Sequence, residues 1–395
     1  METQLIETLR HARDTAGDLL RDDGFVSHVH RGLMASARTP LSIHYVGRAR
    51  FSNDCRMFFE DAASDATDGE PHRVYGLARF LLDRRHVRGH LHGVDVGLVD
   101  TFLSPGTAWR EPVLAPFVEA MLPVRANMEE QLAQYRSVGA RKKMQRTLRK
   151  GVPWRVSADP AEFQSFYTDM YLPTATTRFG LEASVTSMDV MEQQFRRSGR
   201  LLLTEEGEGI AASGALVCTF PHRPRVLHYW KVGVEHCQSL APTQLTEPYN
   251  RLEAALLTYA VREGFAEIHM GWTRAVLNDG VFVHKRRFGC TFHHSAEAVD
   301  LAVCSSPGLP PALFACRPVV MWRGAEPVAW LGQDGELDAD AEAALLERFR
   351  AAQFPPLRSI TLFTRGVVRT RDRLLEVLRR ARAEYPCSVA LVEDA

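Results

Sequence analysis

Three consecutive cations, Lys285, Arg286 and Arg287, close the segment NDGVFVHKRRFG (278–289). Lys285 is the first choice for a charged role, since an ammonium there can bind a phosphate or stabilise an oxyanion developing during group transfer. The plain alternative is a solvated basic turn between strands. Asp279, in the Asn-Asp-Gly sequence just before, either makes the turn or serves as a general base. VLHYWKVGV (226–234) reads as a strand, so Tyr229, Lys231 and Glu235 alternate along it and its exit. Tyr229 can protonate a leaving group and Glu235 can deprotonate an amine, with packing or surface roles as the alternatives. Arg178 can clamp a carboxylate or phosphate through both arms of its guanidinium, or stand in a structural ion pair.

Other chemistries find no support. There is no GxSxG motif, and the seven cysteines are scattered without CxxC spacing, as expected of small buried hydrophobes. His90 and His92 would share a strand face and supply two metal ligands, but nothing supplies a third, so no metal is expected. From Arg136 to Arg155 there are eight basic residues and no acidic one. That run is either a solvated helix face or a grip for a phosphate-rich partner such as transfer RNA, which would bind with salt-dependent affinity.

The elements that must hold these residues follow from periodicity. Residues 1–35 read as helix, 41–51 as strand, 61–72 as an acidic loop and 92–102 as strand. Pro112 to Leu122 opens a helix leading into a longer one through Tyr135. A short strand at Trp154–Val156 precedes a helix that Asp159 caps and Pro160 begins. Then come two strands within 201–220, the strand at 226–234, a helix at 251–265 and a strand at 267–272. Residues 305–316 read as a linker, and a small α/β unit follows.

A length of 395 residues predicts two or three domains, placed at 1–125, 126–304 and 317–395. With 45% hydrophobic and 24% charged residues the chain is of ordinary globular type, and its balanced 48 basic and 48 acidic side chains give no net-charge signal of a nucleic-acid partner. No apolar run is long enough to span a membrane, and METQLIETLRHARD is no signal peptide, which points to a soluble cytoplasmic protein.

Four segments carry a family resemblance: RKKMQRTLRKG (141–151), FYTDMYLPTATTRFG (166–180), PTQLTEPYNRLEAALLTYAVREGFAEIHMGW (242–272) and VFVHKRRFG (281–289). In this order they resemble the Fem-like acyltransferases, a branch of the GNAT superfamily that includes aminoacyl and peptidyl transferases and polysaccharide-modifying acetyltransferases. The resemblance implies a mixed α/β fold, a GNAT-like twisted mixed sheet flanked by helices, with 1–125 as a degenerate first GNAT-like half. It places Lys285 at the family lysine and Arg178 at the family arginine. With Tyr229, Glu235 and Asp279, read from their own places in the sequence, Lys285 makes up the expected catalytic set. Donor and substrate binding would fall to Arg178, Lys231, Trp272, Thr243, Gln244 and Arg286.

One departure concerns the donor. The position before the 251–265 helix reads EHCQSLAPTQL (235–245) and lacks the Gln/Arg-x-x-Gly-x-Gly/Ala loop that cradles the pyrophosphate of CoA. RVYGLA (73–78) has the spacing but follows a polar loop rather than a strand. The implied function is transfer of an acyl group to an amine, less often a hydroxyl, of a small molecule, peptide or sugar. No tightly bound cofactor is implied; the co-substrate is acyl-CoA or, alternatively, aminoacyl-tRNA. A non-catalytic binding protein on the same fold is the third reading.

Overall fold

The computed structural model describes residues 25–34, 40–48, 63–68, 72–74, 96–100, 112–179, 185–205, 211–241, 243–295, 301–305, 311–324, 326–357, 359–365, 371–384 and 388–393. The chain divides into two units, one comprising 1–118, 273–283 and 292–395, the other 119–272 and 284–291. The architecture is mixed α/β, with two mixed sheets flanked by helices.

The first sheet contains β1 (Phe25–Met34), β2 (Pro40–Arg48), β3 (Ala63–Asp68), β4 (His72–Val74), β5 (Val96–Asp100), β6 (Val113–Leu114), β14 (Leu301–Ser305), β15 (Val319–Arg323), β16 (Glu326–Asp334), β17 (Ser359–Arg365) and β18 (Ser388–Glu393). Its order is β18-β17-β16-β15-β6-β14-β5-β2-β1-β3, with β4 also on β1. Two segments of this sheet differ from their sequence expectation. Residues 25–34 are strand rather than helix, because FVSHVHRGLM finds a full antiparallel partner in β2, from Phe25–Arg48 to Leu33–Pro40. The acidic stretch 61–72 includes β3, whose backbone closes the edge of β1 even though its side chains are small and polar. The helix expected at 1–24 lies outside the described residues.

The parallel strands β16, β17 and β18 need crossovers. α9 (Ala339–Ala352) and α10 (Arg371–Glu384) supply them, and Glu342 of α9 binds both Arg373 and Arg380 of α10. In the linker stretch, α8 (Pro311–Cys316) forms and packs on β16. Phe282 and Phe292 stack at 4.1 Å with Phe354 edge-on to both, and all three are buried.

The second sheet contains β7 (Phe117–Pro123), β8 (Trp154–Ser157), β9 (Gly199–Glu205), β10 (Ala211–Phe220), β11 (Arg223–Val234), β12 (Glu267–Arg274) and β13 (Thr291–His294), in the order β13-β7-β12-β11-β10-β9-β8. The helix expected at Pro112–Leu122 is corrected to β6 and β7. Its apolar run is bounded by Pro112, Pro116 and Pro123, and buried positions alternate at its start as a strand requires. The helix toward Tyr135 shortens to α1 (Met128–Ala133), whose N-cap Asn127 accepts from the Glu130 N–H. α2 (Val138–Lys150) carries the basic run, capped by Ser137.

On one face of this sheet lie α3 (Pro160–Ser165), a π-helical turn (Phe166–Tyr171), α4 (Leu172–Phe179) and α5 (Met188–Ser198). Asp159 caps α3 as expected. Phe163, Phe166, Met170, Met191 and Phe195 pack on Leu201, Leu203, Leu216 and Cys218, which alternate on β9 and β10. The π-turn sits directly on β11: a Cβ at Gly233 would lie 2.5 Å from the Met170 carbonyl carbon and the Tyr171 nitrogen. α6 (Thr246–Arg262) buries Leu252, Leu256, Leu257 and Ala260 and makes the crossover between β11 and β12.

β8 is a four-residue edge strand. Its Arg155 binds Glu162 through both arms and Glu205 at 2.7 Å, and its Trp154 is covered by the Arg262 guanidinium at 4.7 Å.

Candidate functional site

β11 and β12 are parallel neighbours for only three rungs, Val226–Glu267, Leu227–Ile268 and His228–His269. Both strands continue, to Val234 and Arg274, without pairing further. From His228 and His269 onward the sheet therefore parts in its interior. A gap of this kind leaves backbone donors and acceptors on both walls without ladder partners, and such groups seek others.

A bulge shapes the β11 wall. Leu216 of β10 pairs with Lys231 and its neighbour Val217 pairs with Tyr229, so Trp230 is the extra residue. The alternation expected for Tyr229 and Lys231 is thereby broken: adjacent residues of β10 face opposite ways, so their partners do too. Lys231 joins the face of the π-turn, its Nζ 5.8 Å from the Tyr171 ring centre and 5.4 Å from that of Trp230. Tyr229 turns to the other face. Trp230 and Trp272, one on each wall, are 36% and 44% exposed, unusual for the largest apolar side chain.

Lys285 anchors the β12 wall. It lies on α7 (Gly280–Phe288), a helix and not the basic turn of the alternative reading, and is only 7% exposed. Its Nζ donates to the carbonyl oxygens of Gly271 (3.1 Å) and Trp272 (2.8 Å). Gly271 has φ +76, a backbone state that favours glycine, and it turns these carbonyls at the point where β12 leaves β11. Asp279 caps α7: its Oδ1 accepts from the Val281 and Phe282 N–H groups at 2.9 and 3.0 Å.

The remaining expected residues are dispersed. Glu235 is half-buried beyond the end of β11, with its carboxylate 3.6 Å from His236 Nε2. Thr243 and Gln244 are exposed, and the Gln244 side chain is used locally, accepting from Ala241 N–H at 2.8 Å. Arg286 is half-buried on α7. The Arg178 side chain, His90 and His92 lie outside the described residues. Cys218 and Cys290 are buried, which pushes their thiols up to about 12 and makes them inert. Among the described residues no three His, Cys, Asp or Glu side chains are placed to hold a metal ion, and no helix is long and apolar enough to cross a membrane.

Two residues the spacing argument passed over sit where the strands part. The rings of His228 and His269 are 4.8 Å apart, and His269 Nε2 is 3.9 Å from Glu119 on β7. Burial, then His269 and Arg223, lower His228 to about 3; burial, then Lys285 and Arg223, lower His269 to about 4. Both imidazoles are thus neutral at pH 7. A signal was present: HYWK and HMGW flank one predicted helix, and a strand–helix–strand unit brings its strands side by side in parallel.

No family model matches the chain, and neither does any curated protein sequence. Among solved structures, FemX is 13% identical with a TM-score of 0.36, covering 71% of this chain and 85% of its own. A probable N-acyltransferase from Enterococcus faecalis V583 is 9% identical with a TM-score of 0.25. Saccharomyces cerevisiae N-myristoyltransferase with bound myristoyl-CoA and inhibitors is 8% identical with a TM-score of 0.25. The matches span 64% and 63% of the latter two chains, just under two thirds. Likenesses this distant assign neither family nor activity.

Proposed function

We propose that this chain is an acyltransferase that binds an extended acyl donor, acyl-CoA, between β11 and β12 and passes its acyl group to an amine. The parting of the two strands after His228 and His269 carries the reading. An amide-rich arm lying there can pair with the backbone groups that the lost ladder leaves over, as a strand would. Trp230 and Trp272 supply flat apolar walls to either side. The acceptor is the amine of a small molecule, peptide or sugar. It attacks the thioester carbonyl as the neutral amine; the carbonyl oxygen becomes negative, and the C–S bond breaks as the sulfur leaves with a proton. Lys231, held over aromatic faces and without an ion pair among the described residues, is a cation carried by β11 itself. Lys285 holds the wall in shape, its ammonium already donating to two carbonyls.

One observation favours aminoacyl-tRNA as the donor. Lys142, Lys143, Arg146, Arg149 and Lys150 are all exposed on one arc of α2, opposite the buried Met144 and Thr147. No described carboxylate pairs with them.

Thermal stabilisation by acetyl-CoA, longer acyl-CoAs and aminoacylated tRNA, at low and moderate salt, separates the readings. Stabilisation by a CoA ester supports the first, and stabilisation by tRNA that fades with salt supports the second. If neither ligand stabilises the protein, the transferase reading fails and a non-catalytic binding role takes its place.

A further inference from the structure

Arg286 is placed at cost. Its Nη1 is fully buried and has no hydrogen-bond partner. Burial, then Arg136, then Arg287 lower its pKa to about 10, and no carboxylate contributes against them. The three arginines are held together by the backbone: the Arg136 N–H donates to the Arg287 carbonyl at 3.1 Å, where the start of α2 meets the end of α7. Gly289 makes that meeting close. At φ +101 its missing Cβ leaves room for the Gln134 carbonyl, which would otherwise lie 2.7 Å from it. Arg136 and Arg287 are exposed while Arg286 is half-buried, so the group opens to solvent on one side.

A buried guanidinium N–H with no acceptor, flanked by like charges, is among the least favourable arrangements a fold can retain. A doubly charged oxyanion bound at the open side of the group offsets the mutual repulsion of the three cations, and the exposed guanidinium forks of Arg136 and Arg287 match phosphate oxygens geometrically.

We infer that Arg286, with Arg136 and Arg287, forms a binding site for a phosphate group. The site differs from the role expected for Lys285, whose Nζ is taken up by the carbonyls of Gly271 and Trp272. It does not depend on the transfer reading, since a phosphate can bind here whether or not the chain transfers anything. The phosphate comes either from free anion or from a phosphomonoester on a nucleotide-type ligand such as CoA.

The test is thermal unfolding of the full chain in phosphate-free buffer, with ionic strength held constant by sodium chloride. Inorganic phosphate at saturating concentration should raise the Tm of the native protein by about 5 °C. Arg286→Met should show a higher Tm than the native protein without phosphate, because it removes the buried unpaired charge, and no response to phosphate. Arg136→Gln, at an exposed position, keeps the fold and should weaken phosphate binding several-fold. CoA compared with 3′-dephospho-CoA identifies the source. A tenfold preference for CoA that Arg286→Met abolishes assigns the site to the ligand's phosphomonoester, and equal binding with a retained phosphate response assigns it to free anion. The inference is overturned if phosphate leaves the native Tm unchanged, or if Arg286→Met responds as the native protein does.

Discussion

His228 and His269 face each other across the last rung that joins β11 to β12, their rings 4.8 Å apart. The pairing stops there, so the two imidazoles stand where the sheet divides. Their protonation bears directly on stability. Both folded pKa values, about 3 and about 4, lie below the ordinary histidine value of 6.5. Well above pH 6.5 the rings are neutral in folded and unfolded chains and add no pH dependence. Below it the unfolded chain takes up protons that the folded chain refuses, so stability falls with falling pH. Urea unfolding between pH 7 and pH 5, above the carboxylate range, should show this decline. His228→Phe should flatten it by about one proton of linkage at pH 5.

Lys285 makes a separate prediction. Two charge-assisted bonds to backbone carbonyls disappear in Lys285→Met, which should cost about 1.5–3 kcal/mol in urea denaturation. Transfer activity should fall with it, because the carbonyls of Gly271 and Trp272 lose the group that orients them. A variant with unchanged stability would remove the anchoring role.

Trp230 and Trp272 bear on binding as well as stability. Both are more than a third exposed, so Trp230→Ala and Trp272→Ala should leave the chain folded, each at a cost of about 1–3 kcal/mol for the covered part of the ring. Each should weaken acyl-CoA about tenfold in calorimetric titration, the loss of one aromatic wall. Undiminished affinity in both variants would place the donor elsewhere.

Asp279 separates a cap from a base. Asparagine caps a helix as well as aspartate does, so Asp279→Asn should keep both stability and turnover, whereas Asp279→Ala should lose about 1 kcal/mol. A hundredfold drop in kcat for the asparagine variant at native stability would instead identify a general base.

Gly233 tests the packing beneath the bulge. With Met170 and Tyr171 backbone atoms 2.5 Å from any added Cβ, Gly233→Ala should destabilise by about 3 kcal/mol or more. Gly280→Ala, with nothing within 4 Å, should be close to neutral in the same denaturation series.

The sequence was most legible where one periodicity ran uninterrupted. The strands β9 to β12, the helix α6 and the Asp159 cap of α3 are readable from alternation, helical spacing and a cap followed by proline. Legibility failed where partners decide. FVSHVHRGLM and FVEAMLP are short apolar runs that suit either period, and only their ladders make them strands. The bulge at Trp230 comes from a register that β10 imposes, so no inspection of HYWK alone shows that Tyr229 and Lys231 part company. Asp279 reads from the sequence as a turn former or a base, and its role as the N-cap of α7 appears only once α7 is seen to be a helix. The partners of Lys285 are backbone carbonyls thirteen and fourteen residues away, and side-chain spacing says nothing about those.

The β8 end of the second sheet has a further meaning for how copies of this protein meet. An outermost strand carries a free row of backbone groups and can recruit another chain's strand. Here that row is only four residues long. Arg155 ties it inward to Glu162 and Glu205, and a guanidinium lies over the Trp154 ring. A short, charged and partly roofed edge makes a poor template for sheet-to-sheet association, so growth of the sheet from one molecule into the next is discouraged on this side.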